Sequence, residues 1–192
     1  ATQGDVERFE PLQQFCGGAV VHGIKEILGV QFRNMATMGG SVASKFGFSD
    51  IIPALLAVHA DIVTYKGGRM SMKDYMNYRE RDILVEIRIP KREVPVAVEA
   101  LRISRGDFPY LTGSIRRDDT NYEVYIGTRP GAPQLAEKAS ALLSEKGLDA
   151  LDEAARVASE ELVYQKNSHA SKEYRIEMAK AMVRRLVKEV AQ

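Results

Sequence analysis

Apolar residues recur at helical spacing in two stretches of the first half of the chain, residues 15–30 and residues 49–59. A period near 3.6 residues predicts amphipathic helices there, the first of them in the second half of its stretch. Ser49 is a suitable N-cap for the second helix, and Pro53 stands in its first turn, where a missing N–H costs little. The buried side of that helix is predicted to include His59.

Alternating apolar and polar residues predict strands in the same half of the chain. Residues 61–65 and the residues around Met70 form a predicted hairpin about the turn Lys66-Gly67-Gly68, and a short helix is expected over residues 72–78. Residues 82–90 alternate most clearly and end at a proline. One face of this strand carries Ile83, Val85, Ile87 and Ile89, and the other carries Leu84, Glu86 and Arg88.

The second half of the chain shows three strand-like stretches followed by three helical ones. The predicted strands are antiparallel and cover residues 96–103, 111–116 and 122–127, with a tight turn at Asp118-Asp119-Thr120-Asn121. Helical spacing then marks residues 135–143, 148–162 and 174–190, and Gly147 ends the first of these helices.

Strands followed by a run of helices are typical of an α+β fold, here a three-stranded antiparallel sheet with a helical bundle. The best linker candidate is the charged, proline-bracketed stretch of residues 91–95. We therefore predict two domains, residues 1–92 and residues 96–192.

Composition narrows the classes of function. The formal net charge of +1 argues against a nucleic-acid partner or a membrane surface, and no apolar run has transmembrane length. A single cysteine, Cys16, excludes an internal disulfide and an iron–sulfur cluster held by this chain alone. We expect a cytoplasmic protein, and a fragment or processed piece because the first residue is Ala1.

A Thr-x-Gly-Gly segment, Thr37 to Gly40, is the strongest candidate for binding chemistry. We interpret residues 31–42 as a turn-rich loop in which glycine lets backbone N–H groups approach a phosphate without a Cβ in the way. A helix that begins near Ser49 and Asp50 adds further unpaired N–H donors. The same residues are also compatible with a plain connection, and Asp50 with a charge that the helix dipole favours.

The residues on both sides of this segment carry a family resemblance. Residues 31–41, Gln-Phe-Arg-Asn-Met-Ala-Thr-Met-Gly-Gly-Ser, resemble the QxRNxATxGGN/S loop of the FAD-binding subunit of molybdenum hydroxylases, a group that includes xanthine dehydrogenase types. Residues 49–57 resemble the family's SDxxPALLAL helix start, and residues 81–90 resemble its DEILxxIxIP strand. Residues 126–133 and 171–175 resemble segments of its C-terminal domain, so the match spans nearly the whole chain.

The resemblance implies a fold and a cofactor site. Residues 1–92 would be the C-terminal part of a PCMH-type FAD-binding domain, followed by the family's C-terminal domain. The Thr-x-Gly-Gly loop would bind the FAD diphosphate and ribityl group, the backbone of one leucine would lie beside the isoalloxazine ring, and a cation would follow on the next strand. Residue by residue, the implied site consists of Thr37, Met38, Gly39, Gly40, Ser41, Ser49, Asp50, Leu84 and Arg102.

The resemblance also implies a function. The chain would be an oxidoreductase subunit that passes electrons from the [2Fe-2S] clusters of a partner subunit through FAD to NAD or another acceptor. A separate molybdopterin subunit would hydroxylate the substrate. This chain would then contribute no catalytic residue and no metal ligand of its own.

One part of the family's site has no counterpart in the sequence. Nothing upstream of Gln31 resembles the family's first glycine-rich diphosphate loop, so we expect the isolated chain to bind FAD weakly or not at all. Two alternatives remain open. The chain could be a non-catalytic assembly or binding module that holds no flavin, or an unrelated enzyme that binds a phosphate ligand at the Gly-Gly turn.

Overall fold

Two small antiparallel sheets, one in each half of the chain, are surrounded by helices. The computed structural model describes all 192 residues. The first half has seven helices and a 3₁₀ turn at Phe15–Gly18: α1 (Gln3–Arg8), α2 (Glu10–Gln14), α3 (Ala19–Lys25), α4 (Val30–Met35), α5 (Met38–Ala43), α6 (Ile51–Ala57) and α7 (Met72–Asn77). Its strands, in the sheet order β2-β1-β3, are β1 (Asp61–Thr64), β2 (Gly68–Ser71) and β3 (Leu84–Arg88).

The second half forms a four-stranded sheet covered by three helices, which confirms the predicted α+β class. The strands follow one another in the order β4 (Val96–Leu101), β5 (Leu111–Asp118), β6 (Asn121–Gly127) and β7 (Gln134–Leu135). The last of them is a two-residue addition to the three predicted strands. The helices are α8 (Glu137–Lys146), α9 (Leu151–Glu161) and α10 (Lys172–Val190), with a 3₁₀ turn at Gly147–Ala150.

Helix α6 links the two halves because it is buried along its whole length, Ile51–Ala57. It belongs to the hydrophobic core of the first half, and that core also takes in Val96 and Tyr125 from the second sheet. On β5, the hydroxyl of Ser114 donates a hydrogen bond of 2.7 Å to the carbonyl oxygen of Pro53. The first half of the chain is therefore packed directly on the sheet of the second half.

The prediction that residues 31–42 form a turn-rich loop is wrong. Most of them lie in two short helices, α4 and α5, separated by Ala36 and Thr37. Thr37 has an extended backbone, and its hydroxyl accepts a hydrogen bond of 3.0 Å from the N–H of Gly40. A side-chain cap of this kind satisfies a donor at a helix start, so the glycines continue as the first turn of α5.

A fully buried arginine fastens α10 to the second sheet. The guanidinium of Arg175 donates to the carbonyl oxygens of Tyr110 and Thr128 and to the side-chain oxygen of Asn167. No carboxylate is paired with Arg175 in the structure, and burial lowers the pKa of its guanidinium. Three neutral oxygens therefore compensate the buried charge.

The side chain of His59 lies outside the core, which corrects its predicted place on the buried side of α6. His59 follows the helix with a left-handed backbone, φ 53°, and this turns the imidazole outward. Its Nε2 lies 2.6 Å from Oε2 of Glu123 on β6, and the hydroxyl of Tyr125 donates to the same oxygen at 2.9 Å. A polar cluster thus bridges the two halves at this edge.

Acid should weaken this bridge. Burial raises the pKa of Glu123, but its hydrogen bond and charge interaction with His59 outweigh that effect and hold the pKa below its usual value. A lowered pKa means that the carboxylate stabilises the fold above its ordinary pKa, and that this contribution is lost as the pH falls through the lowered value. We expect Glu123→Gln to reduce the free energy of unfolding by about 1–2 kcal/mol at pH 7 and by much less near pH 3. Urea unfolding at both pH values measures the difference.

Glu145→Gln is the matched control for this substitution. Glu145 is exposed on α8 and has no ion-pair partner in the structure, so its replacement should change stability by less than about 0.5 kcal/mol at either pH. An equal effect of Glu123→Gln at pH 7 and near pH 3 would show that the charge of Glu123 contributes nothing.

Candidate functional site

The Thr-x-Gly-Gly segment is held in place by the first residues of the chain. The N–H of Gln3 donates to the carbonyl oxygen of Ala36 at 2.8 Å, and the N–H of Met38 donates to the carbonyl oxygen of Ala1 at 3.1 Å. These bonds form a small antiparallel bridge on either side of Thr37. The start of α5 is therefore fixed in position by backbone pairing as well as by the Thr37 cap.

Gly39 is a glycine that the chain's own fold does not require. It does not have a positive φ, so the backbone there is open to any L residue. A Cβ built on Gly39 would have Leu84 Cδ2 as its nearest neighbour, at 3.8 Å, which is ordinary van der Waals contact. At Gly40, by contrast, a Cβ would lie only 3.0 Å from the hydroxyl oxygen of Thr37. Gly39 thus keeps free a space that the protein itself does not fill.

That space belongs to a cleft of about 680 Å³ between α1, α5, α6 and β3. Eleven of its fifteen lining residues are hydrophobic. Four residues of the implied flavin site line it: Thr37, Met38, Gly39 and Leu84. The family resemblance thus implied residues at the start of α5 and on the distant strand β3, and the structure places them in one cleft.

Ser41 follows the cleft residues on α5, and its hydroxyl is oriented by a residue that sequence reasoning missed. The side-chain amide of Gln3 donates a hydrogen bond of 2.9 Å to the hydroxyl of Ser41, although 38 positions separate the two residues. Gln3 is buried, and its Oε1 has no hydrogen-bond partner in the structure. No local sequence pattern marks this contact, because α1 and α5 meet only in the folded chain.

The remaining implied residues have other partners. Ser49 caps α6, since its hydroxyl accepts hydrogen bonds of 3.3 and 3.2 Å from the N–H groups of Ile51 and Ile52. Asp50 pairs with Arg102 at 2.6 Å, and both side chains are almost fully buried. Burial raises the pKa of Asp50 to about 6, although the Arg102 charge opposes the shift.

Asp50 lines a second cavity, of about 380 Å³, which shares no lining residue with the cleft. The structure therefore divides the nine implied residues into three groups. The second group is Ser49, which caps α6, and the third is the ion pair of Asp50 and Arg102. The first group lies in or beside the cleft and consists of Thr37, Met38, Gly39, Gly40, Ser41 and Leu84.

The chemistry of the cleft is that of a binding site. An apolar lining interrupted by a few polar residues, here Asp5, Thr37 and Glu86, suits a ligand that carries both an apolar part and a polar part. No group of three or more His, Cys, Asp or Glu side chains is arranged to hold a metal ion. Among the helices, none combines the length and the apolar character that a membrane span needs.

Two family models match the chain, one in each half. Residues 5–92 match the FAD binding domain in molybdopterin dehydrogenase, and residues 97–190 match the CO dehydrogenase flavoprotein C-terminal domain. A curated relative, the uncharacterized protein YgfM of Escherichia coli (strain K12), is 26% identical over 118 residues. The aligned part is 60% of this chain and 46% of YgfM, so the chain matches less than half of that relative's length.

Solved structures share the fold over the whole chain. Quinoline 2-oxidoreductase from Pseudomonas putida 86 superposes with a TM-score of 0.88 at 19% identity, covering 100% of this chain and 73% of its own. Reconstituted CO dehydrogenase from Oligotropha carboxidovorans gives a TM-score of 0.86 at 23% identity, covering 99% of this chain and 72% of its own.

Proposed function

Because the chain belongs to the FAD-binding flavoprotein subunits of the molybdenum hydroxylase family, we propose that it binds FAD in the cleft beside Gly39. The observation that carries this proposal is the unfilled space at Gly39, which neither backbone strain nor packing explains. A ligand whose phosphates approach the backbone would explain it, because any Cβ at this position would project toward that ligand.

The residues of the cleft fit the two parts of a flavin nucleotide. Thr37, Met38, Gly39 and Gly40 would surround the diphosphate, with the N–H of Gly39 as the direct backbone donor, because the N–H groups of Met38 and Gly40 already donate to Ala1 and Thr37. The hydroxyl of Ser41, which accepts from Gln3, would donate its own hydrogen to the ligand. The mainly apolar wall with Leu84 would take the flat ring, so that water is excluded from one side of it. The bound flavin supplies the capacity to accept and release electrons, and this chain binds and orients it.

Ser49, Asp50 and Arg102 would support the site from behind. Ser49 fixes the start of α6, and Leu55 on this helix lines the cleft. The Asp50–Arg102 ion pair ties the same helix start to the residues after β4. We propose that these three residues keep the cleft wall in place and do not contact the flavin.

We further propose that the chain works as an electron-transfer subunit beside separate subunits. An iron–sulfur subunit with [2Fe-2S] clusters would deliver electrons, a molybdopterin subunit would oxidise the substrate, and NAD or another acceptor would receive the electrons. A xanthine dehydrogenase-like activity and a cytoplasmic location belong to the same proposal. Its support is the match to two family models, the FAD binding domain in molybdopterin dehydrogenase and the CO dehydrogenase flavoprotein C-terminal domain.

Titration of the ¹⁵N-labelled chain with FAD, followed by NMR, tests the cleft even when binding is weak. We expect the amide signals of Thr37, Met38, Gly39, Gly40 and Leu84 to shift in a saturable way. Titration with ADP should shift the Thr37–Gly40 signals without that of Leu84, because ADP carries the diphosphate but lacks the isoalloxazine ring of FAD. Amide shifts spread over the whole surface, or none at all, would refute FAD binding at this cleft.

A second candidate function is an assembly module that holds no flavin. It is favoured by the hydrogen bonds at the Thr-x-Gly-Gly segment, where the N–H groups of Met38 and Gly40 already have acceptors within the chain. If FAD leaves the Thr37–Gly40 amides unchanged while the chain copurifies with iron–sulfur and molybdopterin subunits, this function replaces the first.

A further inference from the structure

Gln3 is a buried polar side chain with only one of its two polar atoms paired. It stands in the first turn of α1 and is 2% exposed. Its amide nitrogen donates to the hydroxyl of Ser41 at 2.9 Å, whereas its Oε1 is buried without a hydrogen-bond partner. Burying an acceptor without a donor costs free energy that an apolar side chain of the same shape would not. Stability alone therefore does not favour a glutamine here.

The backbone at Gln3 is held in place without the help of its side chain. The N–H of Gln3 donates to the carbonyl oxygen of Ala36 at 2.8 Å, and Thr2 forms an antiparallel bridge with Thr37. The hydroxyl of Thr2 also caps α1, because it accepts from the N–H of Asp5 at 3.1 Å. These bonds fix the start of α1 beside Thr37. The contact of the Gln3 amide with α5 is additional to them.

The hydroxyl of Ser41 has a hydrogen that the chain itself does not use. A hydroxyl donates through one hydrogen and accepts through two lone pairs, whereas an amide N–H only donates. Because Gln3 supplies the donor of their contact, the hydrogen of Ser41 points elsewhere. The bond from Gln3 is the only hydrogen bond of this hydroxyl in the structure, and Ser41 is half-buried on α5. Its hydrogen is therefore available to an acceptor from outside the chain.

We propose that Gln3 is a positioning residue of the flavin site, whose amide holds the hydroxyl of Ser41 with its hydrogen directed to a phosphate oxygen of FAD. This role rests on the proposed function. Phosphate oxygens accept hydrogen bonds, and a donor that is oriented before binding loses less rotational freedom when the ligand arrives. Functional sites keep such arrangements at a cost in stability, which accounts for the unpaired Oε1 of Gln3.

Gln3→Met removes the amide and keeps a side chain of similar length. We expect the urea midpoint of the variant to be unchanged or higher, because the unpaired Oε1 disappears together with the hydrogen bond to Ser41. Its affinity for FAD should fall about tenfold, the scale of one hydrogen bond to a charged group. NMR titration of the amide signals of Thr37–Gly40 measures that affinity. A purely structural residue would lose stability instead.

A double-mutant cycle shows whether Gln3 acts through Ser41. Ser41→Ala should also weaken FAD binding about tenfold, and adding Gln3→Met to it should weaken binding no further. Gln14→Met is the matched control, because Gln14 is exposed on α2 and lies outside the cleft. It should change neither the urea midpoint nor the affinity for FAD.

Two results would overturn this role of Gln3 even though the wild-type chain binds FAD at Thr37–Gly40. One is an unchanged affinity of Gln3→Met for FAD, whatever its urea midpoint, which leaves Gln3 without a part in binding. The other is a loss of affinity that adds to that of Ser41→Ala, which means that Gln3 acts without the hydroxyl. Failure of the proposed function looks different, because the wild-type chain then shows no shift of the Thr37–Gly40 amides. The role of Gln3 falls with it in that case.

Discussion

Gly39→Val is expected to abolish FAD binding while the chain keeps its fold. Valine is compatible with the backbone of Gly39, which does not have a positive φ, and helical positions tolerate valine at least as well as glycine. Its two methyl groups would occupy the space between α5 and Leu84, where the nearest atom to an added Cβ is 3.8 Å away. The phosphate group of FAD would then be kept from the backbone N–H groups.

The effect should be graded with side-chain size. Gly39→Ala should weaken the NMR-detected binding of FAD by about tenfold, a cost of about 1.4 kcal/mol, and Gly39→Val should remove it. Gly106→Val is the control, because an added Cβ there would meet only Leu28 Cδ1 at 3.6 Å and lies outside the cleft. Unchanged affinity in Gly39→Val, with an unchanged circular dichroism spectrum, would remove this glycine from the flavin site.

Arg175→Met should destabilise the protein by about 3–5 kcal/mol. The substitution keeps a long side chain but leaves the buried carbonyl oxygens of Tyr110 and Thr128 without this donor. The amide oxygen of the exposed Asn167 also loses Arg175 but still accepts from the N–H groups of His169 and Ala170. Each buried acceptor that loses its partner costs about 1–3 kcal/mol. The loss should appear in urea unfolding followed by circular dichroism.

Arg184→Met provides the comparison on the same helix. Arg184 is partly exposed and pairs with the exposed Asp152 at 2.6 Å, an arrangement that contributes about 0–1 kcal/mol. Arg175→Met must therefore be the far more damaging of the two variants. Equal losses would mean that the buried guanidinium does not hold α10 to the sheet.

Much of the fold could be predicted because its signals are local. The alternation of residues 82–90 and the helical spacing of residues 174–190 each depend on one face of one element. The structure contains β3 and α10 at these places. The error at residues 31–42 has the opposite cause. Two adjacent glycines indicate a turn, but the Thr37 cap and the pairing with the first residues of the chain decide the conformation.

The candidate site was predictable in part for the same reason. The Thr-x-Gly-Gly motif identifies Gly39 by itself, and only the family resemblance adds Leu84, which the structure places next to it. The pairing of Asp50 with Arg102 and the contact of Gln3 with Ser41 depend on how distant elements meet. Contacts of this kind cannot be predicted from the spacing of residues along the chain.

The position of helix α6 affects how the protein unfolds. It contributes to the core of the first half, and that core also needs Val96 and Tyr125 from the second sheet. Separating the two family segments would therefore expose apolar surface on both of them, at about 25 cal/mol for each Å². We therefore expect the segments matched by the two family models, residues 5–92 and 97–190, to unfold together in one cooperative transition.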